Sequence, residues 1–354
     1  MSKSNSIKVY TNSREFGMVG EIEYRRLKYH FMDQQLSGKR NWMQSFLFAL
    51  STFHKTEIDW ADVILIESIP YIHLPFIARW IRKTNIKLVL NVDEAWASPK
   101  IFGDSVLSFI PIMLYRLLLR IGLAKSYKIL SASNVTTKSL IENYHVQAPR
   151  ITTIPNGVNR PSTDLSELID GPVKRSIDFV MVGRLVRIKR HRDFISALRL
   201  LKINTNWNGK AVIIGDGPLY GKLKKQISKY ELTDNVFLPG FMEADTKAHY
   251  LKQSRFYVLS SSREGFSIST LEAMQFGCIP IVSRPSSSEV FGVSHFVTDG
   301  VNGFYYDVAN LKNFADVLEK ALKIGLRTEY QFKRTAYDTS GNFEWGKLLD
   351  KLTL

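Results

Sequence analysis

The sequence predicts an α/β chain made of two doubly wound parallel-sheet domains, and three observations carry that expectation. Short β-branched runs alternate with amphipathic stretches over nearly the whole 354 residues, the pattern of parallel strands covered on both faces. The alternation runs through one series, pauses, and starts again near residue 177. A chain of this length also exceeds what one core ordinarily holds, which points to two domains.

Taken in order, 7–11 (IKVYT), 62–68, 87–92, 127–133 and 150–155 read as the strands of the first series, with amphipathic stretches at 21–36, 73–84 and 134–144. The polar segment 159–176 contains two prolines and no clear period, so it reads as the linker. The second series is 177–183 (IDFVMVG), 210–215 (KAVIIG), 235–240 (NVFLPG), 256–261 (FYVLSS) and 279–282 (IPIV), again with helical stretches between. Domains over 1–165 and 166–337 follow. Two such sheets facing each other leave a cleft at the carboxyl ends of their strands, where ligands of these sheets bind.

Composition narrows the classes. Hydrophobic residues make up 45% and charged residues 23%, a globular balance. Cys278 is the only cysteine, which excludes an internal disulfide and a cysteine metal cage and fits a reducing, cytoplasmic setting. The opening MSKSNSIKVYTNS lacks the apolar core of a signal peptide, and no run is long and apolar enough to span a bilayer. The net charge is +15: residues 1–170 hold 21 Lys+Arg against 15 Asp+Glu, and the remainder 27 against 18. A basic excess spread over both halves favours anionic partners without choosing among phosphates, acidic lipid and nucleic acid.

The stretch SSSREGFSISTLEAMQFGCIPIV (260–282) holds the chemistry. Ser269-Thr270-Leu271-Glu272 has the form of a capping box opening a helix, Gly277 stops it, and Pro280 lies beyond. Glu272 then has two readings, a backbone cap or a ligand-binding acid, whereas Glu264 lies in the loop before the cap. The helix start at 267–270 offers free amides and partial positive charge for a diphosphate, with the two acids placed to accept bonds from sugar hydroxyls on either side.

With Glu264-Gly265-Phe266, Leu271-Glu272-Ala273-Met274, Gly277 and Pro280 in view, the chain resembles the family-4-type retaining glycosyltransferases of the GT-B superfamily, the glycosyl transferases group 1. MVGRLVRIKRH (181–191), TIPNGV (153–158), IIGDGP (213–218) and DGVNGF (299–304) continue the resemblance in order. It implies the GT-B fold, with two Rossmann-like domains, the first for the acceptor and the second for a nucleotide-sugar donor. FEWGKLLDKL (343–352) resembles the family's terminal helix, here about 338–354, which returns to the first domain. It implies that Arg184 and Lys189 bind the donor diphosphate and stabilise the charge of the departing group, which needs no metal; the chain has no Asp-x-Asp pair. By the same resemblance Glu264 contacts the transferred sugar, Glu272 the ribose, and Gly265, Phe266, Ser267 and Ile268 the phosphates or sugar. Gly183, Gly215 and Gly217 belong to turns beside the nucleotide; read on its own, 215–221 is not a dinucleotide loop.

The first half departs from the family. Its glycine-rich loop is reduced to Gly17 and Gly20, of which Gly20 is the better candidate for approaching a phosphate. Where the family often has a His-Asp-like pair, this chain has Asp93-Glu94, so Asp93 is either a base toward the acceptor or a buried support. The apolar stretch 108–128, with Arg116 and Arg120 one turn apart, reads as a core helix or as an interfacial helix on anionic lipid, and the latter suits peripheral attachment to the inner membrane face. The expected partners are a nucleotide-sugar donor, a glycan or lipid-linked glycan acceptor and an anionic membrane surface, with no nucleic acid and no cofactor. The alternatives are a GT-B-like epimerase or phosphorylase, and a non-catalytic anion or nucleic-acid binder.

Overall fold

The structure is a computed structural model, and it describes residues 7–11, 17–19, 22–26, 63–67, 87–93, 116–117, 119–161, 169, 175–284 and 291–349. The chain packs as two compact units, 1–130 with 140–152 and 131–139 with 153–354.

The first unit contains two sheets among its described residues. Strand β1 (Ile7–Thr11) pairs in parallel with β3 (Ile22–Arg26), and β2 (Gly17–Val19) pairs antiparallel with β3. The expected helix over 21–36 is therefore strand over its first described part. Ile22-Glu23-Tyr24-Arg25-Arg26 alternates apolar and polar at first, and its backbone pairs on both sides, which a local helical period does not report. Strands β4 (Val63–Glu67), β5 (Lys87–Val92), β6 (Lys128–Ser131) and β7 (Ile151–Thr153) form the second sheet in that order. Its core gathers Leu88, Leu90, Val92, Ile129 and Leu140, the last from helix α1 (Asn134–Tyr144). Within the stretch 108–128, residues 119–125 are helical and bury Leu119 and Leu123 in this core, as the core-helix reading expects. The stretch 73–84 lies outside the described residues, as does most of the linker 159–176.

The second unit is built on a six-stranded sheet of order β10-β9-β8-β11-β12-β13, all parallel. The strands are β8 (Ile177–Val182), β9 (Ala211–Ile214), β10 (Val236–Gly240), β11 (Ser254–Leu259), β12 (Ile279–Arg284) and β13 (Phe304–Asp307). Helices α2 (His191–Thr205), α3 (Tyr220–Lys229), α4 (Ala244–Gln253), α5 (Ile268–Gln275), α6 (Leu311–Leu322) and α7 (Leu326–Ser340) connect or cover them. The strands are apolar on both faces because both faces are covered. Phe179, Phe194, Phe256 and Phe314 fill one side, with Phe179 edge-on to Phe194 at 6.3 Å, and Tyr257, Leu259, Leu271 and Met274 fill the other. Below the sheet, Glu329 of α7 takes Arg255 at 2.8 Å and Lys333 at 2.6 Å, so the ionic groups buried there are paired. A short helix α8 (Trp345–Leu349) lies within 343–352, and its Trp345 ring covers Gly157, where a Cβ would sit 2.4 Å from the ring.

Candidate donor site

Strand order decides where a ligand fits. From β8 the chain moves to β9 on one side, while β11 flanks β8 on the other, so the order reverses between β8 and β11. Loops leaving the carboxyl ends of those two strands flank a crevice at such a reversal. They are 183–190 and 260–267, and they hold most of the residues singled out above.

The 183–190 loop is clamped from two sides. The Gly183 amide donates to Ile214 O at 3.0 Å, and the Leu185 amide to Asp216 O at 2.9 Å. Gly215 and Gly217 have φ of 149° and 155°, and a Cβ on either would lie 2.0 Å from Gly183 O or 2.8 Å from Leu185 O. Only glycine permits this approach. From the other side the Ser262 amide donates to Ile188 O at 2.9 Å, and Ser260 Oγ to Lys189 O at 2.7 Å. Held this way, the turn Arg187–Lys189 projects Lys189 Nζ onto Glu264 Oε2 at 2.6 Å. Their side chains are 20% and 11% exposed, so the pair is shielded from water and screened little by salt. Arg184 in the same loop is exposed and has no side-chain partner among the described residues. Arg190 closes the turn with φ 52°, a left-handed backbone that costs a non-glycine residue about 1 kcal/mol, and its Nε donates to Asp193 Oδ2 at 2.7 Å.

Helix α5 starts two residues earlier than the capping box implies. Ser267 is its N-cap, without a side-chain bond to the helix amides; its Oγ accepts from Thr270 Oγ1 at 2.8 Å. Glu272 does not reach back to Ser269 but pairs with Lys247 of α4, Oε2 to Nζ at 2.8 Å. The cap reading is thereby corrected. With the helix capped at Ser267, Ser269 already lies in its first turn, and the Glu272 carboxylate is left to meet the opposite charge of Lys247. The amides of Ser267, Ile268 and Ser269 have no backbone acceptor among the described residues, which leaves the helix start open to an anion. Gly265 and Phe266 are buried, Phe266 against Phe296 at 5.4 Å and Phe343 at 5.8 Å, and Ile268 is exposed. Gly277, at φ 68°, ends the helix as expected.

Asp93 follows β5 in the first unit and is half-buried. Gly20 lies outside the described residues; its described neighbours Gly17–Val19 and Ile22–Arg26 pair as antiparallel strands. Among the described residues no group of three or more His, Cys, Asp or Glu could hold a metal ion, and no helix is long and apolar enough to cross a membrane.

Three site residues escaped the sequence reading. Lys247 belongs to no motif. Tyr257 is buried in β11 with its hydroxyl 2.7 Å from Ser269 Oγ and 3.2 Å from Val182 O, tying the end of β8 to the first turn of α5. Burial pushes its phenol well above the usual range, so it stays a neutral strut. A tyrosine inside the buried run FYVLSS is the signal that could have found it, since a buried hydroxyl needs a partner. His191 opens α2 beneath the Lys189 turn, fully buried and with neither ring nitrogen bonded.

Burial, and next the Lys189 charge, push His191 down to about 4. An unfolded histidine titrates near 6.5, so below that pH the unfolded chain takes up a proton that the fold refuses. Stability is therefore full above pH about 6.5 and falls as pH drops toward 4, by at most about 3 kcal/mol. His191→Phe is expected to flatten that part of a melting-temperature profile against pH. A profile as steep as the wild type's would show that another group carries the acid sensitivity.

Comparison with known proteins agrees with this architecture. Residues 169–339 match the family described as glycosyl transferases group 1. The chain is 28% identical over 144 residues to a poly(glycerol-phosphate) alpha-glucosyltransferase of Bacillus subtilis, covering 41% of this chain and 20% of that protein. It is 29% identical over 200 residues to a UDP-Gal:alpha-D-GlcNAc-diphosphoundecaprenol alpha-1,3-galactosyltransferase of Escherichia coli, covering 54% of this chain and 50% of that one. These matches span only about a fifth to a half of the relatives' lengths. Sucrose-phosphate synthase of Thermosynechococcus elongatus superposes with a TM-score of 0.76 at 14% identity, over 98% of this chain and 87% of its own. The fold is GT-B, two parallel-sheet α/β domains.

Proposed function

We propose that this chain, whose residues 169–339 match the glycosyl transferases group 1 family, belongs to that family and moves a sugar from a nucleotide-diphosphate donor to an acceptor hydroxyl with retention of configuration. The observation that carries the proposal is the Lys189–Glu264 pair at 2.6 Å, on the loops that flank the strand-order reversal, with the open start of α5 following Glu264. A cation and unbonded amides there suit a departing pyrophosphate. An adjoining carboxylate suits the hydroxyls of the sugar it leaves behind.

The chemistry follows from charge. As the glycosidic bond stretches, negative charge builds on the diphosphate, and groups already oriented stabilise it without reorganising at that moment. Lys189, Arg184 and the amides of Ser267 and Ile268 serve this role, so the reaction runs without a metal. Glu264 orients the sugar, and Glu272, steadied by Lys247, holds the ribose. With no residue assigned as covalent nucleophile, the acceptor attacks from the face the leaving group vacates. Asp93 is the candidate group toward the acceptor. The relatives' names, with a UDP-sugar donor and a diphosphoundecaprenol-linked or poly(glycerol-phosphate) acceptor, support a role in bacterial cell-surface polysaccharide or glycolipid synthesis.

A thermal-shift screen against UDP, GDP, ADP and dTDP and their sugars tests the donor. The matching nucleotide at about a hundred times its Kd stabilises the fold by about 2.7 kcal/mol. Product from that donor is then examined by NMR, and an inverted anomeric centre would refute retention. Glu272→Gln is expected to raise donor KM several-fold with kcat less affected and melting temperature little changed, since Glu272 does not cap α5. A melting temperature lowered along with activity would return Glu272 to a structural role.

A further inference from the structure

Helices α2 and α3 run side by side on one face of the second sheet. Gln226 of α3 donates its Nε2 to Arg192 O at 2.9 Å and to Ser196 Oγ at 3.0 Å. Further along the seam the Arg199 guanidinium lies over the Tyr230 ring at 4.5 Å. The seam is lined by Arg192 and Arg199 from α2 and by Lys222, Lys225 and Lys229 from α3, all exposed and none in an ion pair among the described residues. No acid offsets them on the helices themselves: α3 has none, and the one acid of α2, Asp193, is taken by Arg190. At the carboxyl ends of the two helices the seam widens into a cavity of about 450 Å³, lined by Arg199, Lys202, Ile203, Trp207, Lys229 and Tyr230, with Glu231 the one acid in its lining. The donor loops leave the opposite, carboxyl edge of the sheet. Trp207 Nε1 bonds Asp178 Oδ2 at 2.8 Å, beside the start of β8.

We propose that the α2–α3 seam is a docking surface for an anionic lipid bilayer, its cavity receiving a phosphate headgroup. The strip is about 20 Å long, at 1.5 Å per helical residue, which suits an array of headgroups better than one small ion. Its cations outweigh both Glu231 and the partial negative charge of the two helix ends, because Arg199, Lys202 and Lys229 bring three full positive charges to the cavity against one negative. Ile203 stands 63% exposed between them, an aliphatic group that gains by entering the interfacial layer. A single-stranded nucleic acid needs free aromatic faces on which to stack. Here Arg199 covers the Tyr230 ring and Trp207 is only 7% exposed. Each cation near an anionic surface adds to binding, and salt weakens it. This inference stands on surface charge and does not depend on the proposed transfer reaction.

Flotation of the full chain with phosphatidylcholine vesicles, with and without phosphatidylglycerol, tests it. Binding is expected only to the anionic vesicles, and it should fall as salt rises. The double reversal Arg199→Glu/Lys229→Glu should weaken that binding at least tenfold, whereas Lys224→Glu, on the far side of α3, should change it little. Melting temperature and transfer to a soluble acceptor, read in the same variants, separate loss of docking from loss of fold or activity. Equal binding by the double variant and the wild type would overturn the proposal. So would binding of glycerol phosphate or RNA in solution without binding to vesicles.

Discussion

Glu264→Gln is expected to lower kcat by roughly 10²–10³-fold while the nucleotide still binds. The substitution keeps the shape of the side chain and removes its charge. That charge faces Lys189 Nζ at 2.6 Å, in a loop whose own backbone is fixed by the Gly292 amide donating to Glu264 O at 2.8 Å. The fold should survive, because those backbone bonds remain and the Lys189 side chain, 20% exposed, can take up water in place of the carboxylate. Steady-state kinetics with a melting curve check this. A variant turning over at the wild-type rate would show that Glu264 only neutralises Lys189.

Lys189→Met is the second large effect. It removes the cation assigned to the leaving diphosphate, so kcat should drop by a similar 10²–10³-fold and nucleoside diphosphate should bind more weakly. It also strands Glu264 at 11% exposure, and an unpaired carboxylate in such a place destabilises by up to about 3 kcal/mol. The two consequences separate in the double variant Lys189→Met/Glu264→Gln. That chain carries no stranded charge, so its melting temperature should recover while its activity stays lost. Recovery of activity together with stability would refute a direct role for Lys189 on the diphosphate.

The second domain was legible because its signals are local. β8 to β12 each stand within or across a run of apolar residues between turn signals, and a strand buried on both faces has that character. Gly215 and Gly217 were legible as turn residues for the same reason. The first domain was less so. Ile22–Arg26 fits a helical period and a strand alike, and only its pairing with β1 and β2 decides between them.

By itself the sequence determined the parallel α/β class, the restart of the pattern near residue 177, and the loop that carries Glu264 ahead of a helix. Tertiary structure alone decided which charges meet. Lys189 and Glu264 are 75 residues apart and Lys247 and Glu272 are 25 apart, and no periodicity relates residues on different elements. The cap of α5 lies at Ser267, Glu272 pairs with Lys247 of another helix, and the α2–α3 seam exists only because two helices lie side by side. Backbone preference is set by neighbours along the chain. Electrostatic partnership is set by distance through space, which the packed fold supplies.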